Sequence, residues 1–414
     1  MTIFVIGAGI AGLSAAVTAA AEGAQVHLIE ASPQAGGRCR SFDDTILDRR
    51  IDNGSHVLIG ANPAAFAFLQ RIGARDSLVR LGQHGTPFVD LESGERWTFR
   101  AGRPIPGGGV TGHLRALALL RPAGGRTVRQ VLGGGPMMRR FWEPLTVAAL
   151  NTGPARADAA LLRRILGEIL RHGRAGLDLY MARDGLSESF VEPALAWLAA
   201  HRATVTFGQQ VRGLATAGQS VTGLETNTAT LPVSPGDHIV LATPAAVTHR
   251  LLPDIQVPMG TNAIVNGHFR VDPEVLPASS VAVLGLCGGT AQWAFQRGDI
   301  LSLTVSDANA HLDTDQDTLA RKLWRDVAVA LKLGAAELPP HRIIREKRAT
   351  FDQTPANEAL RPPAQTRLAN LFLAGDWTDT GLPATIEGAT RSGGRAARLA
   401  LGLVSSAQGT SQDT

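Results

Sequence analysis

The first 31 residues, MTIFVIGAGIAGLSAAVTAAAEGAQVHLIEA, leave the chain little choice of fold. A β-rich run from Ile3 to Ile6 leads into Gly7-x-Gly9-x-x-Gly12, an alanine-rich helical stretch, and a second apolar run from Gln25 to Ile29 that ends at Glu30-Ala31. Strand, turn, helix and strand in this order make a βαβ unit, which commits the two strands to a parallel sheet. Gly7 permits the tight turn, Gly9 lets the backbone approach a pyrophosphate, and Gly12 with Ala16 lets helix and sheet pack closely. The free N–H groups of the first helical turn, at Ile10 and Ala11, suit phosphate, and Glu30 is spaced to accept hydrogen bonds from a ribose. The segment reads as a dinucleotide site.

At 414 residues the chain exceeds what one core usually serves, so two domains are expected. Hydrophobic residues at 44% and charged residues at 18% describe a globular protein. The 40 basic and 36 acidic residues leave +4 with no long basic block, so nucleic acid is not an expected partner. Two cysteines, Cys39 and Cys287, without a CxxC or Cys/His cluster, argue against a disulfide framework or a metal site and point to a reducing, cytoplasmic setting. The N-terminal apolar segment, broken by glycines and lacking a basic leader, reads neither as a signal peptide nor as a membrane span. No other window offers about 18 uninterrupted apolar residues, so membrane contact is expected to be peripheral.

Three further segments narrow the dinucleotide. SPQAGGRCRSF carries Gly36-Gly37-Arg38, and IDNGSHVLIG carries Asp52, Gly54, Ser55 and His56 in a glycine-bearing turn. LFLAGDWTDTGLPATIEGATRSG ends a strand at Gly375-Asp376 and starts a helix near Ala384-Thr385, whose free N–H groups suit an anion or a ring oxygen that gains charge. The bland alternative for that segment is an ordinary αβ connection capped by Thr385. Together these segments resemble the glutathione-reductase-like flavoproteins, a group that includes monoamine oxidases, phytoene desaturases and squalene-pathway flavoenzymes. The resemblance implies an α/β fold, an FAD-binding Rossmann domain with an inserted α+β substrate domain. It implies that Gly37 and Arg38 meet the FAD pyrophosphate, that Gly54, Ser55 and His56 border the isoalloxazine ring, and that Gly375-Asp376 holds the ribityl chain. Thr385, Ile386 and Ala389 would lie at the pyrimidine edge, and Val211 would offer its backbone to adenine.

Within that group, amine oxidases carry a lysine near flavin N5 and an aromatic cage. This chain has only three lysines, Lys322, Lys332 and Lys347, and one tyrosine, Tyr180, and it places Thr385 before Ile386-Glu387-Gly388-Ala389 where the cage tyrosine is expected. No cysteine lies between Gly375 and Gly394, so the FAD is expected to be noncovalent. The stretches DNGSHVLIGANPAAFAFLQRIGA, FWEPLTVAALNTGPARADAALLRRIL, LSESFVEPALAWLAAHRATVTFGQQV and LAGDWTDTGLPATIEGATRSGGRAA resemble the FAD-dependent hydroxysqualene dehydroxylases of bacterial hopanoid biosynthesis, with Ser55 standing where that pattern has Gln. The resemblance implies hydride delivery from reduced FAD to the allylic carbinol carbon of hydroxysqualene, an isoprenoid lipid, giving squalene. The alternatives are a desaturase of a C30 or C40 polyene and a prenyl-lipid carrier of the same fold. The reaction needs an acid and a dry pocket. His56 and Glu143 are the candidate acids, and Phe141, Trp142 and Trp293 the candidate tunnel lining.

Residues 1–80, 186–252 and 343–404 are expected to build the FAD domain, 81–185 and 253–342 the substrate domain, and 405–414 a flexible tail. TPFVDLESGERWTFRAG reads as a hairpin turning near Ser93-Gly94. Leu161, Leu162, Ile165, Leu166, Ile169 and Leu170 recur at helical spacing opposite Arg163, Arg164, Glu168 and Arg171. That stripe is expected to cover the chain's own core or to guard a lipid path at a membrane surface, and Leu114 to Leu120 is a second, weaker candidate for the latter. Gly133 to Gly135 lacks a partner acid, so no second nicotinamide domain is evident and the electron donor is unidentified.

Overall fold

The computed structural model describes residues 1–404 apart from 83–84, 101, 106–107, 275, 277–282 and 335–336; the tail expected over 405–414 lies outside the described residues. Thr2–Ile6 is the central strand of a five-stranded parallel sheet in the order Thr204–Thr206, Gln25–Ile29, Thr2–Ile6, His238–Leu241, Leu371–Leu373. Ile3 and Val5 pack beneath helix Ile10–Ala21, while Phe4 and Ile6 pack on the other face with Val211 and Leu224. Cover on both faces is why these strands read as unbroken apolar runs. Ile6 is level with Ile29 and Leu241, and Leu241 with Leu373, so Gly7, Glu30, Ala242 and Ala374 all leave the same sheet edge. In a parallel sheet that edge is where ligands bind.

A seven-stranded sheet forms the other half, in the order His341–Phe351, Thr261–Arg270, Ile300–Val305, Trp293–Arg297, Val283–Cys287, Thr86–Asp90, Arg96–Phe99. Its period-2 alternation is clean: Val265, Phe269, Leu301 and Leu303 pack against helix Gln316–Leu331 through Leu319, Leu323 and Trp324. The alternate residues Asn266, His268, Ser302, Thr304, Trp293 and Phe295 share the opposite face. The expected hairpin is present, with Thr86–Asp90 paired to Arg96–Phe99 and the Asp90 carboxylate accepting the Glu92 and Ser93 N–H groups at 3.0 and 3.1 Å. The boundaries expected at 80/81 and 342/343 both fall inside strands, Leu78–Leu81 and His341–Phe351, the latter an edge of the seven-stranded sheet.

Helix Ala159–Arg171 begins at Asp158, whose carboxylate accepts the Leu161 N–H at 2.9 Å. Leu161 and Leu162 are fully buried with Val128, Leu132, Trp142 and Leu150, and Ile165 and Leu166 line the margin of the same core. Its polar face is tied down by Arg164 to Glu358 at 3.0 Å and Glu168 to Arg391 at 3.1 Å. The chain's own core therefore covers the stripe from Leu161 to Ile169, the first of the two expectations for it, while Leu170 at its end stays 69% exposed.

The two halves of the nucleotide edge are joined where helix Ile10–Ala21 crosses Ile386–Ala400. A Cβ on Gly393 would lie 2.0 Å from the Ala11 carbonyl oxygen, and one on Gly12 would lie 1.8 Å from that of Gly7, so the helices and the turn touch backbone to backbone. The Ser14 hydroxyl spans the crossing to the Thr390 carbonyl at 2.9 Å. Gly393→Ala is expected to cost about 1–3 kcal/mol or more by overpacking, read as a lower thermal midpoint. Gly134→Ala, with nothing within 4 Å of the added methyl, is the control expected to leave that midpoint unchanged.

Candidate active site

Gly9 caps the first helix, whose first intrahelical bond runs from the Leu13 N–H to the Gly9 carbonyl at 2.8 Å, leaving the N–H groups of Ile10, Ala11 and Gly12 without a helical acceptor. Nothing lies within 4 Å of the position a Gly9 Cβ would take, so the backbone is open to an approaching group. The Gly36-Gly37 turn runs alongside, bridged to Gly9 through Gly36, with Gly37 approaching the Gly9 Cα at 3.5 Å from its own missing Cβ. Glu30 is fixed by two backbone donors, Ala8 N–H at 2.6 Å and Ser32 N–H at 2.8 Å, one to each carboxylate oxygen. Each oxygen keeps a lone pair for a ribose hydroxyl. Ala31 follows, exposed, and Gln209 N–H bonds the Glu30 carbonyl at 3.0 Å, bringing strand Val211–Ala217 alongside. The Val211 side chain itself is buried with Ile29.

The opposite side of the cleft is built by the last strand and helix. Gly375 stands at φ +147°, where a Cβ would meet the Trp377 indole at 2.5 Å, and its N–H bonds the Ser392 hydroxyl at 2.9 Å. The Asp376 carboxylate is buried and pairs with Arg38 at 2.8 Å, so two groups from distant segments converge at one point. Their mutual attraction raises the Arg38 pKa. Arg361, wholly buried, donates to the Thr378 carbonyl at 2.9 Å, the Asp376 carbonyl at 3.2 Å and the Thr380 hydroxyl at 3.0 Å, and so holds the loop after Asp376. Thr385 caps Ile386–Ala400 by accepting the Gly388 N–H at 3.1 Å, and Ala389 is buried one turn on. Buried Glu387 does other work, accepting the Ala64 and Ala65 N–H groups at 3.2 and 2.8 Å at the start of helix Pro63–Arg71.

The turn Gly54-Ser55-His56 is pinned to the seven-stranded sheet. The Asn266 side-chain oxygen accepts the Ser55 N–H at 3.3 Å and the Thr304 hydroxyl at 2.9 Å, and a Cβ on Gly54 would lie 2.9 Å from the Asn266 amide nitrogen. Ser55 thus bonds the sheet through its backbone. Burial pushes the His56 imidazole below its ordinary value, a shift that Asp52 opposes. His268 is buried nearby, bonded to the Ser302 hydroxyl at 2.8 Å and pushed by burial down to about 4.

The structure brings together the fingerprint, Glu30, Arg38, the His56 turn and Asp376, and it separates the rest. Glu143 is exposed in the first turn of helix Glu143–Leu150, on the side of Cys287 rather than beside His56. Phe141 and Trp142, with ring centroids 4.9 Å apart, belong to the helical core around Leu161. Trp293 lies elsewhere, in a cluster with Val57, Met181 and Phe295, edge-on to Phe88 at 5.4 Å. Asn266 and Thr304 were missed in the sequence. The polar alternation of Asn262, Asn266, His268 and Arg270 along TNAIVNGHFR was the available signal.

A model of the family described as flavin containing amine oxidoreductase matches residues 119–401, and one of NAD(P)-binding Rossmann-like domains matches residues 5–72. The chain is 40% identical over 412 residues to a hydroxysqualene dehydroxylase of Sinorhizobium fredii, covering 96% of this chain and 98% of that one. It is 40% identical to another from Rhodopseudomonas palustris over 414 residues, covering 97% and 98%. The chain belongs to the hydroxysqualene dehydroxylase family. Cyclohexylamine oxidase from Brevibacterium oxydans superposes with a TM-score of 0.73 at 16% identity, covering 97% and 99% of the two chains, which shows that this family shares the amine-oxidase fold. A flavin is the cofactor of such proteins, and the open backbone at Gly9, the unpaired helix N–H groups and the fixed carboxylate of Glu30 fit one.

Glu30→Ala is expected to weaken FAD binding by about 1–3 kcal/mol through lost ribose hydrogen bonds, measured by titrating apoprotein with FAD. Unchanged affinity at matched thermal stability would mean that the acid does not touch the ribose. Because the folded His56 holds its proton less tightly than the unfolded one, it contributes stability above pH 6.5 that is lost as pH falls toward its folded value. His56→Gln should flatten that part of the stability profile.

Proposed function

We propose that the protein reduces hydroxysqualene to squalene with noncovalently bound FAD, in peripheral contact with the membrane that dissolves its substrate. The observation that carries this reading is the divided sheet face beside the His56 turn: polar at Asn266, His268, Ser302 and Thr304, aromatic at Trp293, Phe295 and Phe88. A C30 allylic alcohol has the same division, one hydroxyl between long apolar arms. Bound reduced FAD would supply a hydride to the carbinol carbon after its hydroxyl, taking one proton, had left as water, so that a C–H bond replaces the C–O bond and the flavin ends oxidised. The chain's own residues have three tasks. In this reading Ile10 to Gly12, Glu30 and Arg38 bind the nucleotide, His56 donates the proton, and the aromatic wall keeps water from the allyl cation.

The side chains that other chemistries need are elsewhere. Lys322 and Lys332 lie on and just after helix Gln316–Leu331, behind the seven-stranded sheet, and Lys347 is exposed on strand His341–Phe351. Tyr180 packs edge-on to Phe66 at 5.2 Å, beneath Arg75, rather than forming a cage. Cys39 is buried and burial pushes its thiol up, which disfavours the thiolate that a covalent flavin link requires. Among the described residues no helix is long and apolar enough to cross a membrane.

With FAD chemically reduced, oxygen excluded and hydroxysqualene in detergent, one squalene is expected per flavin oxidised. Untouched hydroxysqualene together with oxidation of a polyene would replace this reading with the desaturase. If His56 is the acid, its protonated form is the minor one at pH 7, so the rate should rise about tenfold per unit as pH falls toward its pKa. His56→Gln should abolish that slope. Glu143→Gln is expected to leave it unchanged.

A further inference from the structure

We propose that the face formed by helix Gly109–Ala116 and the 3-10 turn Leu117–Leu120 docks on an anionic lipid bilayer. Val110, Leu114, Leu117 and Leu120 follow one another at helical spacing, and they are exposed at 77, 59, 55 and 66%. Leu119, on the other side of the turn, is buried in the helical core and anchors the face to the molecule. Four neighbouring large apolar side chains left in water on one face are the mark of an interaction surface.

Charge identifies the occupant. Between Arg96 and Trp142 the sequence holds nine arginines and not one aspartate or glutamate, whereas the rest of the chain holds 31 basic against 36 acidic residues. A net charge of only +4 therefore hides a segment at +9 on a body at −5. Some of these arginines are engaged, Arg139 with Glu92 and Asp90, and Arg140 with Glu95. Arg103, Arg115, Arg121, Arg126 and Arg129 are exposed and, among the described residues, have no carboxylate partner. Exposed leucines rimmed by unpaired arginines match the two layers of a bilayer surface, acyl boundary and anionic headgroup. A nucleic acid would use the arginines and leave the leucines in water. A second copy of this chain would bring the same positive charge against itself. The same basic segment also supplies Trp97, which stacks at 5.7 Å on Phe88, a ring of the proposed aromatic wall.

The assignment rests on the membrane contact proposed above and names its surface. The FAD-loaded protein is mixed with vesicles of phosphatidylcholine alone or with added phosphatidylglycerol, and the flavin-bearing fraction that floats is measured. The wild type is expected to float with the anionic vesicles only, and less at raised salt. Arg115→Gln/Arg121→Gln/Arg129→Gln should lower the affinity roughly 100-fold, and Leu114→Ser/Leu117→Ser/Leu120→Ser roughly tenfold or more. Met259→Ser, at an exposed residue elsewhere, should change nothing. Bound flavin absorbance and turnover of detergent-dispersed hydroxysqualene should be unaltered in all three. Turnover reads the reaction and flotation reads the surface, so either can fail alone. Equal flotation of the arginine or leucine variants, binding to neutral vesicles at the wild-type level, or a dimer abolished by the leucine changes without vesicle binding would each overturn the proposal.

Discussion

The close crossing of helices Ile10–Ala21 and Ile386–Ala400 sets the geometry of everything that follows. A helix can approach another's backbone this nearly only where side chains are absent, and Gly393 over Ala11 is such a place. Because each helix follows a strand of the same parallel sheet, the contact delivers two helix N-termini, at Gly9 and Thr385, to one edge. Each presents unpaired N–H groups and the positive end of a helix dipole. A dinucleotide with a pyrophosphate at one point and an electron-accepting ring at another is the kind of ligand that two such ends accommodate. Residues separated by more than 300 positions, Arg38 and Asp376, then meet as a consequence.

The second sheet has to be held against that edge in a fixed position, and buried polar side chains do this. Asn266 ties the His56 turn to the sheet, while Gln353 donates to the Leu150 carbonyl at 2.5 Å and accepts the Ala384 N–H at 2.9 Å. Asn151 and Asn262 bond each other's backbone carbonyls at 3.2 and 2.8 Å. These amides replace hydrogen bonds that the loops would otherwise make to water, and a buried amide left without its partner is costly. Their geometry constrains where the flavin edge and the substrate face can sit relative to each other, whereas apolar packing alone would permit sliding.

The nucleotide half was legible because its signals are local. Glycines at fixed offsets, an acid at the end of the second strand and Gly375-Asp376 before a capped helix each describe a few consecutive residues, and the structure gathers them at one sheet edge. The substrate half was only partly legible. Apolar patterning at 161–170 was visible, but whether the stripe meets core or lipid depends on Val128, Trp142 and Leu150, which only folding brings to it. Phe141 and Trp142 joined one cluster and Trp293 another, because aromatic identity says nothing about which cluster a ring joins. Glu143 was singled out for its apolar neighbours, yet it faces solvent while Pro144 and Thr146 of the same turn are buried. Asn266 and Gln353 act on Ser55 and Leu150, more than 200 positions away, and apart from the polar alternation around Asn266 their own neighbourhoods did not announce these partners. The division of charge between residues 96–142 and the rest was present in the sequence throughout, concealed by the near-neutral total.

The most direct test of this account is a crystal structure of the protein with FAD bound. The account predicts the pyrophosphate within hydrogen-bonding distance of the Ile10, Ala11 and Gly12 N–H groups, the adenosine ribose on Glu30, and the ring between the Gly54–His56 turn and the Thr385–Ile386 helix start, facing Asn266 and Trp293. A pyrophosphate bound away from the first helix, or a ring separated from the His56 turn by the bulk of the seven-stranded sheet, would contradict it.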